Sequence, residues 1–221
     1  QVVRPRGEVR ADMDIICHIA DKIGLRFNYA GADEVLREIN TVAPSYAGIT
    51  PERIKEKIGG LFWPCPSTEH PGSPILHVDT FRTPSGKGKI TPVEYKPPAE
   101  LVDDEYFLTL TTGRVVMHHS SGSMTRRVRA LAKRVPHLSV EINHLDAERL
   151  QIQAGEEVTI STRRGELAAK AVITDKILPG LLFIPIHFPG VNALTIDVLD
   201  TKAKIPEFKV AACKISKMNP S

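Results

Sequence analysis

Residues Tyr106–Arg127 read YFLTLTTGRVVMHHSSGSMTRR. An apolar run of strand type, Tyr106–Leu110, stops in a loop of glycines and hydroxyls, and the loop opens into a basic segment. This order places backbone N–H groups, hydroxyls and arginines together at the end of a strand, a layout suited to a phosphate-bearing ligand. Thr111, Thr112, Ser120, Ser121, Ser123 and Thr125 supply the hydroxyls, while Gly113 and Gly122 let the backbone approach a ligand closely. Ser123 is expected to cap a helix starting near Met124. Arg114, Arg126 and Arg127 are the candidate phosphate partners. Further along that helix, Arg129 and Lys133 read as a solvent-facing stripe opposite Val128, Leu131, Ala132 and Val135.

Working downstream, strand signals recur. Leu138–Ile142 is a second strand, with a short helix after Asn143. Glu157–Arg163 and Glu166–Ile173 form a hairpin around Arg164–Gly165, because Val158, Ile160 and Thr162 alternate with polar residues, as do Leu167, Ala169 and Ala171. Leu181–Ile186 follows the Pro179–Gly180 turn, and Phe208–Ile215 is the last strand. Six strands with small helices between them suit a closed barrel over 106–221 better than an open sheet. Between the last two strands lies an irregular segment, Phe188–Lys209, in which Asn192 and Thr195 suit a heteroaromatic ring edge and Lys209 suits an anion. A short helix over Ala193–Leu199, capped by Asn192, is the competing reading.

Upstream, residues 1–60 read as short helices. One is capped by Asp12 and carries Ile16, Ile19, Ala20 and Ile23 on one face. A second carries Val35, Leu36 and Ile39, and a third starts at Thr50–Pro51. Each needs something to pack against, so this part is expected to belong to a larger body. Residues 61–105 form a proline- and glycine-rich crossover, with two short strands expected at Ile75–Val78 and Lys89–Tyr95. The expected class is therefore mainly β with α (α+β).

Composition narrows the function. No apolar run approaches the roughly 20 residues of a membrane span. The amino end, QVVRPRGEVR, lacks the apolar core of a signal peptide, and is expected to be a processed end or part of a longer polypeptide. A net charge of +3 with 5% aromatics gives no basis for a nucleic-acid partner. Three scattered cysteines, at 17, 65 and 213, point to a reducing, cytoplasmic compartment and not to a disulfide framework or a cysteine metal site. Cys65 reads as structural, since no positive charge stands next to it in sequence. Adjacent His118 and His119 point to opposite sides of extended chain, so one is expected to touch a ligand while the other packs. His70, His77, His137, His144 and His187 read as structural.

Three stretches, GLFWPCPSTEHPGSPILHVDTF from Gly60, LTTGRVVMHHSSGSMTRR from Leu110 and NALTIDVLDTKAKIPEFKVAACKI from Asn192, resemble the carboxy-terminal part of formate dehydrogenase catalytic (alpha) subunits, members of the molybdopterin oxidoreductase family related to dimethyl sulfoxide reductase. The resemblance implies a six-stranded double-psi β-barrel that binds molybdopterin dinucleotide, preceded by the tail of another domain. It implies a bis(molybdopterin guanine dinucleotide) cofactor carrying molybdenum or tungsten. By position, Thr112, Gly113, Arg114, Ser121, Gly122, Met124 and Thr125 would line the dinucleotide, with His118 or His119 beside it and Asn192 and Lys209 toward the pterin. The family's metal ligand, catalytic histidine and arginine, and 4Fe-4S cluster ligands lie upstream of the matching region. The implied partners are that upstream catalytic portion and iron–sulfur or flavin electron-transfer subunits. Formate oxidation to carbon dioxide, or its reverse, is the implied reaction. Nitrate, another oxyanion or a formyl group is the alternative within the family, and a non-catalytic double-psi binding module the alternative outside it.

Overall fold

A computed structural model describes residues 3–218. The chain divides between Pro92 and Val93 into two compact units.

The first unit carries three helices: α1 (Asp12–Lys22), α2 (Ala32–Val42) and α3 (Pro51–Glu56). Asp12 is the first residue of α1 and not its cap; Ala11 holds that position without a side-chain bond. The apolar stripe of α1 faces outward, with Ile16, Ile19 and Ile23 exposed and only Ala20 buried. Thr50 does cap α3, its hydroxyl accepting from the Arg53 N–H at 3.3 Å, with Pro51 in the first turn where its missing N–H costs nothing. Neither Ile75–Val78 nor Lys89–Tyr95 is a strand. Both have β-forming residues but no neighbouring strand to complete a ladder, and prolines punctuate the region.

Arg53 organises the WPCP segment. Its guanidinium donates to the carbonyls of Gly48, Ser67 and His70 and lies 3.3 Å from the Cys65 sulfur. A positive charge therefore does stand beside Cys65, delivered by α3 from twelve positions away in sequence. The thiol is nevertheless fully buried, so its role is structural.

The second unit is a closed barrel of six strands: β1 (Leu108–Gly113), β2 (Ser139–Ile142), β3 (Glu157–Thr162), β4 (Gly165–Ile173), β5 (Leu181–Pro185) and β6 (Ala211–Lys217). Around the barrel the order is β1-β5-β2-β4-β3-β6. β1 runs parallel to β5 and β2 parallel to β4, and the other four pairings are antiparallel. β5 lies between β1 and β2, while β2 lies between β4 and β5. The two crossovers thus interlock, which is the double-psi arrangement. Two small helices, α4 (Arg129–Arg134) and α5 (His144–Arg149), sit in the connections.

Alternation builds the core. Leu108 and Leu110 from β1, Val140 and Ile142 from β2, Val158 and Ile160 from β3, and Leu182 and Ile184 from β5 are all buried. Each large aliphatic contributes roughly 1.5–3 kcal/mol on burial. Ala169, Ala171 and Ala211 fill the narrower positions, as a closed barrel requires.

Strand direction decides where the loops go. β1, β3 and β5 point one way and β2, β4 and β6 the other. The connections 114–138, 163–164 and 186–210 therefore all lie on one rim, and 143–156 and 174–180 on the other. Every candidate site residue outside a strand lies on the first rim.

Candidate functional site

The rim is sewn together by buried polar groups that local sequence does not announce. His187, fully buried just past β5, accepts from the Val115 N–H through Nε2 at 2.9 Å. Its Nδ1 donates to the Ser120 carbonyl at 2.6 Å, so the ring is the neutral Nδ1–H tautomer. His118 is also buried. Nε2 donates to the Val135 carbonyl at 3.0 Å, which leaves Nδ1 to accept from the Thr125 hydroxyl at 3.1 Å. The same hydroxyl oxygen accepts from the His119 N–H at 3.3 Å. His118 packs and His119 is the exposed one.

Glycine is demanded at two rim positions. At Gly122 φ is +71°, and a Cβ would come 2.8 Å from the His187 carbonyl oxygen. At Gly113 a Cβ would come 2.4 Å from the Phe183 ring. The helix expected from Met124 begins later: Thr125–Arg127 forms a 3₁₀ turn and α4 follows from Arg129. Ser123 is not a cap; the Ser121 hydroxyl donates to its hydroxyl at 3.2 Å. Arg126 and Arg127 turn back onto the loop, Arg127 donating to the Ser123 carbonyl at 2.6 Å and Arg126 to that of Gly122 at 3.3 Å.

What remains free is informative. Arg114 is exposed and has no hydrogen bond or ion pair with another described residue. Among the described residues, the N–H groups of Ser121, Ser123 and Met124 have no acceptor. A cation and several open N–H donors in one loop match the chemistry of a pyrophosphate.

The second segment joins the first directly. Thr112, buried at the end of β1, donates its hydroxyl to the Phe208 carbonyl at 2.8 Å. The Lys209 ammonium donates to the Thr112 carbonyl at 2.6 Å and lies 5.3 Å from the Phe208 ring centroid. One of three ammonium donors is thereby fixed, and the charge stays on the rim. These bonds hold the chain out of the barrel until Ala211, so β6 starts three residues later than its apolar pattern suggests. Asn192 sits in a 3₁₀ turn, Val191–Leu194, whose N-cap is Gly190. Asn192 therefore lies within the turn and does not cap a longer helix, and its exposed side-chain amide has no partner among the described residues.

A charge cluster that sequence reading missed lies beneath this turn. The Glu100 carboxylate accepts from Arg163, from both terminal nitrogens of Arg164 and from the Ala212 N–H. The Arg164 guanidinium most of all, against the opposing effect of burial, holds the Glu100 carboxyl down at about 2. Arg163 also pairs with Asp103 and lies 4.7 Å over the Tyr106 ring. No local pattern marks Glu100, since its partners are 63 to 112 positions away.

The second unit is a closed double-psi barrel with open donors on one rim, and comparison identifies its class. Residues 108–212 match the family model described as Molydopterin dinucleotide binding domain. The chain is 45% identical over 222 residues to the F420-dependent formate dehydrogenase subunit alpha of Methanocaldococcus jannaschii, covering 99% of this chain and 33% of that protein. It is 33% identical to the assimilatory nitrate reductase catalytic subunit of Bacillus subtilis, covering 95% of this chain and 31% of that protein. Acetylene hydratase from Pelobacter acetylenicus shares the fold, with a TM-score of 0.72 at 18% identity, over 99% of this chain and 34% of that one. The chain spans about a third of the length of the curated relatives it matches. Residues 108–212, within the barrel unit, are thus a molybdopterin-dinucleotide-binding domain by that match. Among the described residues no helix is long and apolar enough to cross a membrane.

Proposed function

We propose that this chain is the carboxy-terminal portion of a cytoplasmic formate dehydrogenase alpha subunit and forms one wall of its cofactor cavity. The observation that carries this reading is the gathering of unspent donors on one rim: Arg114, the Ser121, Ser123 and Met124 N–H groups, the Asn192 amide and the Lys209 ammonium. The loop donors suit the pyrophosphate of a molybdopterin guanine dinucleotide, and Asn192 and Lys209 suit its pterin end. Thr112, Gly113, His118, Gly122 and Thr125 shape the cradle from behind, and Ser121, Met124 and His119 line it. The bound group, as the bis form with molybdenum or tungsten, would supply the two-electron chemistry that interconverts formate and carbon dioxide. This chain's residues bind and orient that group.

The reacting side chains and the 4Fe-4S ligands are assigned to the upstream portion, which would also cover the outward apolar stripe of α1. Electrons would leave to iron–sulfur or flavin subunits. Formate is preferred over nitrate because the formate dehydrogenase relatives are the more similar, at 45% against 33% identity. Metal analysis of the intact enzyme, paired with formate-dependent dye reduction, tests the reading. Active material lacking both molybdenum and tungsten contradicts it. Arg114→Ala separates it from a non-catalytic binding module: cofactor content should fall, and unchanged content favours the module.

A further inference from the structure

We propose that Glu100 and Arg164 are positioning residues for the Asn192–Lys209 end of the cradle, acting through the backbone they hold and not by touching the bound molecule. The proposal rests on the cradle reading above. Glu100 belongs to the strap that leads into β1, and its side chain is only 10% exposed. One carboxylate oxygen accepts from Arg163 at 2.7 Å and Arg164 at 2.8 Å. The other accepts from Arg164 at 2.9 Å and from the Ala212 N–H at 2.8 Å. Ala212 stands three residues after Lys209. On the other side of Lys209, the Glu207 carboxylate accepts from the Ala99 N–H at 3.2 and 3.3 Å. The strap therefore pins the chain on both flanks of Lys209.

Arg164 carries the constraint to Asn192. While paired with Glu100, it also donates to the Leu194 carbonyl at 3.4 Å, at the end of the Val191–Leu194 turn. The start of that turn rests on the same hairpin, since a Cβ on Gly190 would come 3.0 Å from Leu167. Val191 and Leu194 are fully buried and Asn192 is exposed between them. With both ends clamped to the β3–β4 hairpin, the backbone that carries Asn192 is held in place.

Stability alone does not account for Arg164. Its Nε is buried with no acceptor among the described residues, an arrangement that costs stability. A buried ion pair is in general no better for stability than well-packed apolar side chains. A planar fork that reaches a carboxylate and a carbonyl at once is instead suited to fixing geometry.

The test uses the intact holoenzyme carrying Arg164→Met, Glu100→Gln, Asn192→Ala, or Arg164→Met with Asn192→Ala. The readout is pterin retained per protein after timed dilution, measured by fluorescence of the acid extract beside the thermal midpoint. Each positioning variant should lose pterin faster by on the order of tenfold. The double variant should lose it by less than the product of the two single effects, because Arg164 acts largely through Asn192. Unchanged loss in both positioning variants, or multiplied losses in the double variant, overturns the proposal. If Arg164→Met does not accumulate folded, Arg164→Lys replaces it and is read the same way. Asn192→Ala without effect overturns the cradle reading itself, whereas an effect of Asn192→Ala beside neutral Arg164→Met and Glu100→Gln overturns only the positioning role.

Discussion

His187→Phe should loosen the rim loop while leaving the barrel folded. The imidazole is fully buried, accepts from the Val115 N–H and donates to the Ser120 carbonyl, so phenyl fills its place with a slightly larger ring and removes both bonds. Packing against His118, 5.8 Å away between ring centroids, is largely retained. The half-buried Val115 N–H loses its acceptor, which costs about 1–3 kcal/mol. Ser120 is exposed, so water replaces the lost donor there and the net cost is nearer ~0.5–1 kcal/mol. Together the loss is about 1.5–4 kcal/mol, which for a unit of this size lowers the thermal midpoint by roughly 5–15 °C. The assays are thermal unfolding and amide hydrogen exchange at Val115, with His119→Ala as the control. That neighbour is exposed and should shift stability by less than about 0.5 kcal/mol. A midpoint within about 1 °C of the parent, together with unchanged exchange at Val115, would refute the reasoning.

Acid should weaken the barrel through Glu100. Its carboxyl sits at about 2 in the folded protein against an ordinary 4.5, so the pairing stabilises above the ordinary value and is lost as pH falls from 4.5 toward 2. The expected loss is about 1–3 kcal/mol across that window, since solvent screens part of the pairing, read from urea unfolding at each pH, and Glu100→Gln should flatten the slope. The Cys213 thiol, pushed up to about 12 mainly by burial, should resist alkylation at pH 8 until the barrel unfolds; rapid native labelling there would show that the core is open. Arg53→Met should cost the first unit about 2–4 kcal/mol by orphaning the carbonyls it gathers, and leave the barrel's unfolding unchanged; equal loss in both transitions would contradict this.

How much of this was legible depended on whether the cause was local. The β3–β4 hairpin was readable because its polar–apolar alternation is enforced by a barrel wall with one buried face. The start of β6 is not legible locally, because Phe208 and Lys209 are held by Thr112, a partner 96 or 97 positions away. Tyr106 continues the apolar run of β1 in sequence but lies outside the ladder, its ring taken by Arg163 and Lys214. Ile75–Val78 has the residues of a strand but no neighbouring edge. The glycine-and-hydroxyl loop was visible as a candidate site because its composition is the chemistry. The residues that shape it from within, His187 and Glu100, looked like any buried histidine and any loop glutamate. Their meaning comes only from the groups the fold brings to them.

The most direct test of the central claim is the position of the dinucleotide in an experimental map of the intact holoenzyme. The account predicts its pyrophosphate against Arg114 and the Ser121–Met124 N–H groups, with the pterin end near Asn192 and Lys209. Density for the dinucleotide on the opposite rim, beside 143–156 or 174–180, would contradict it.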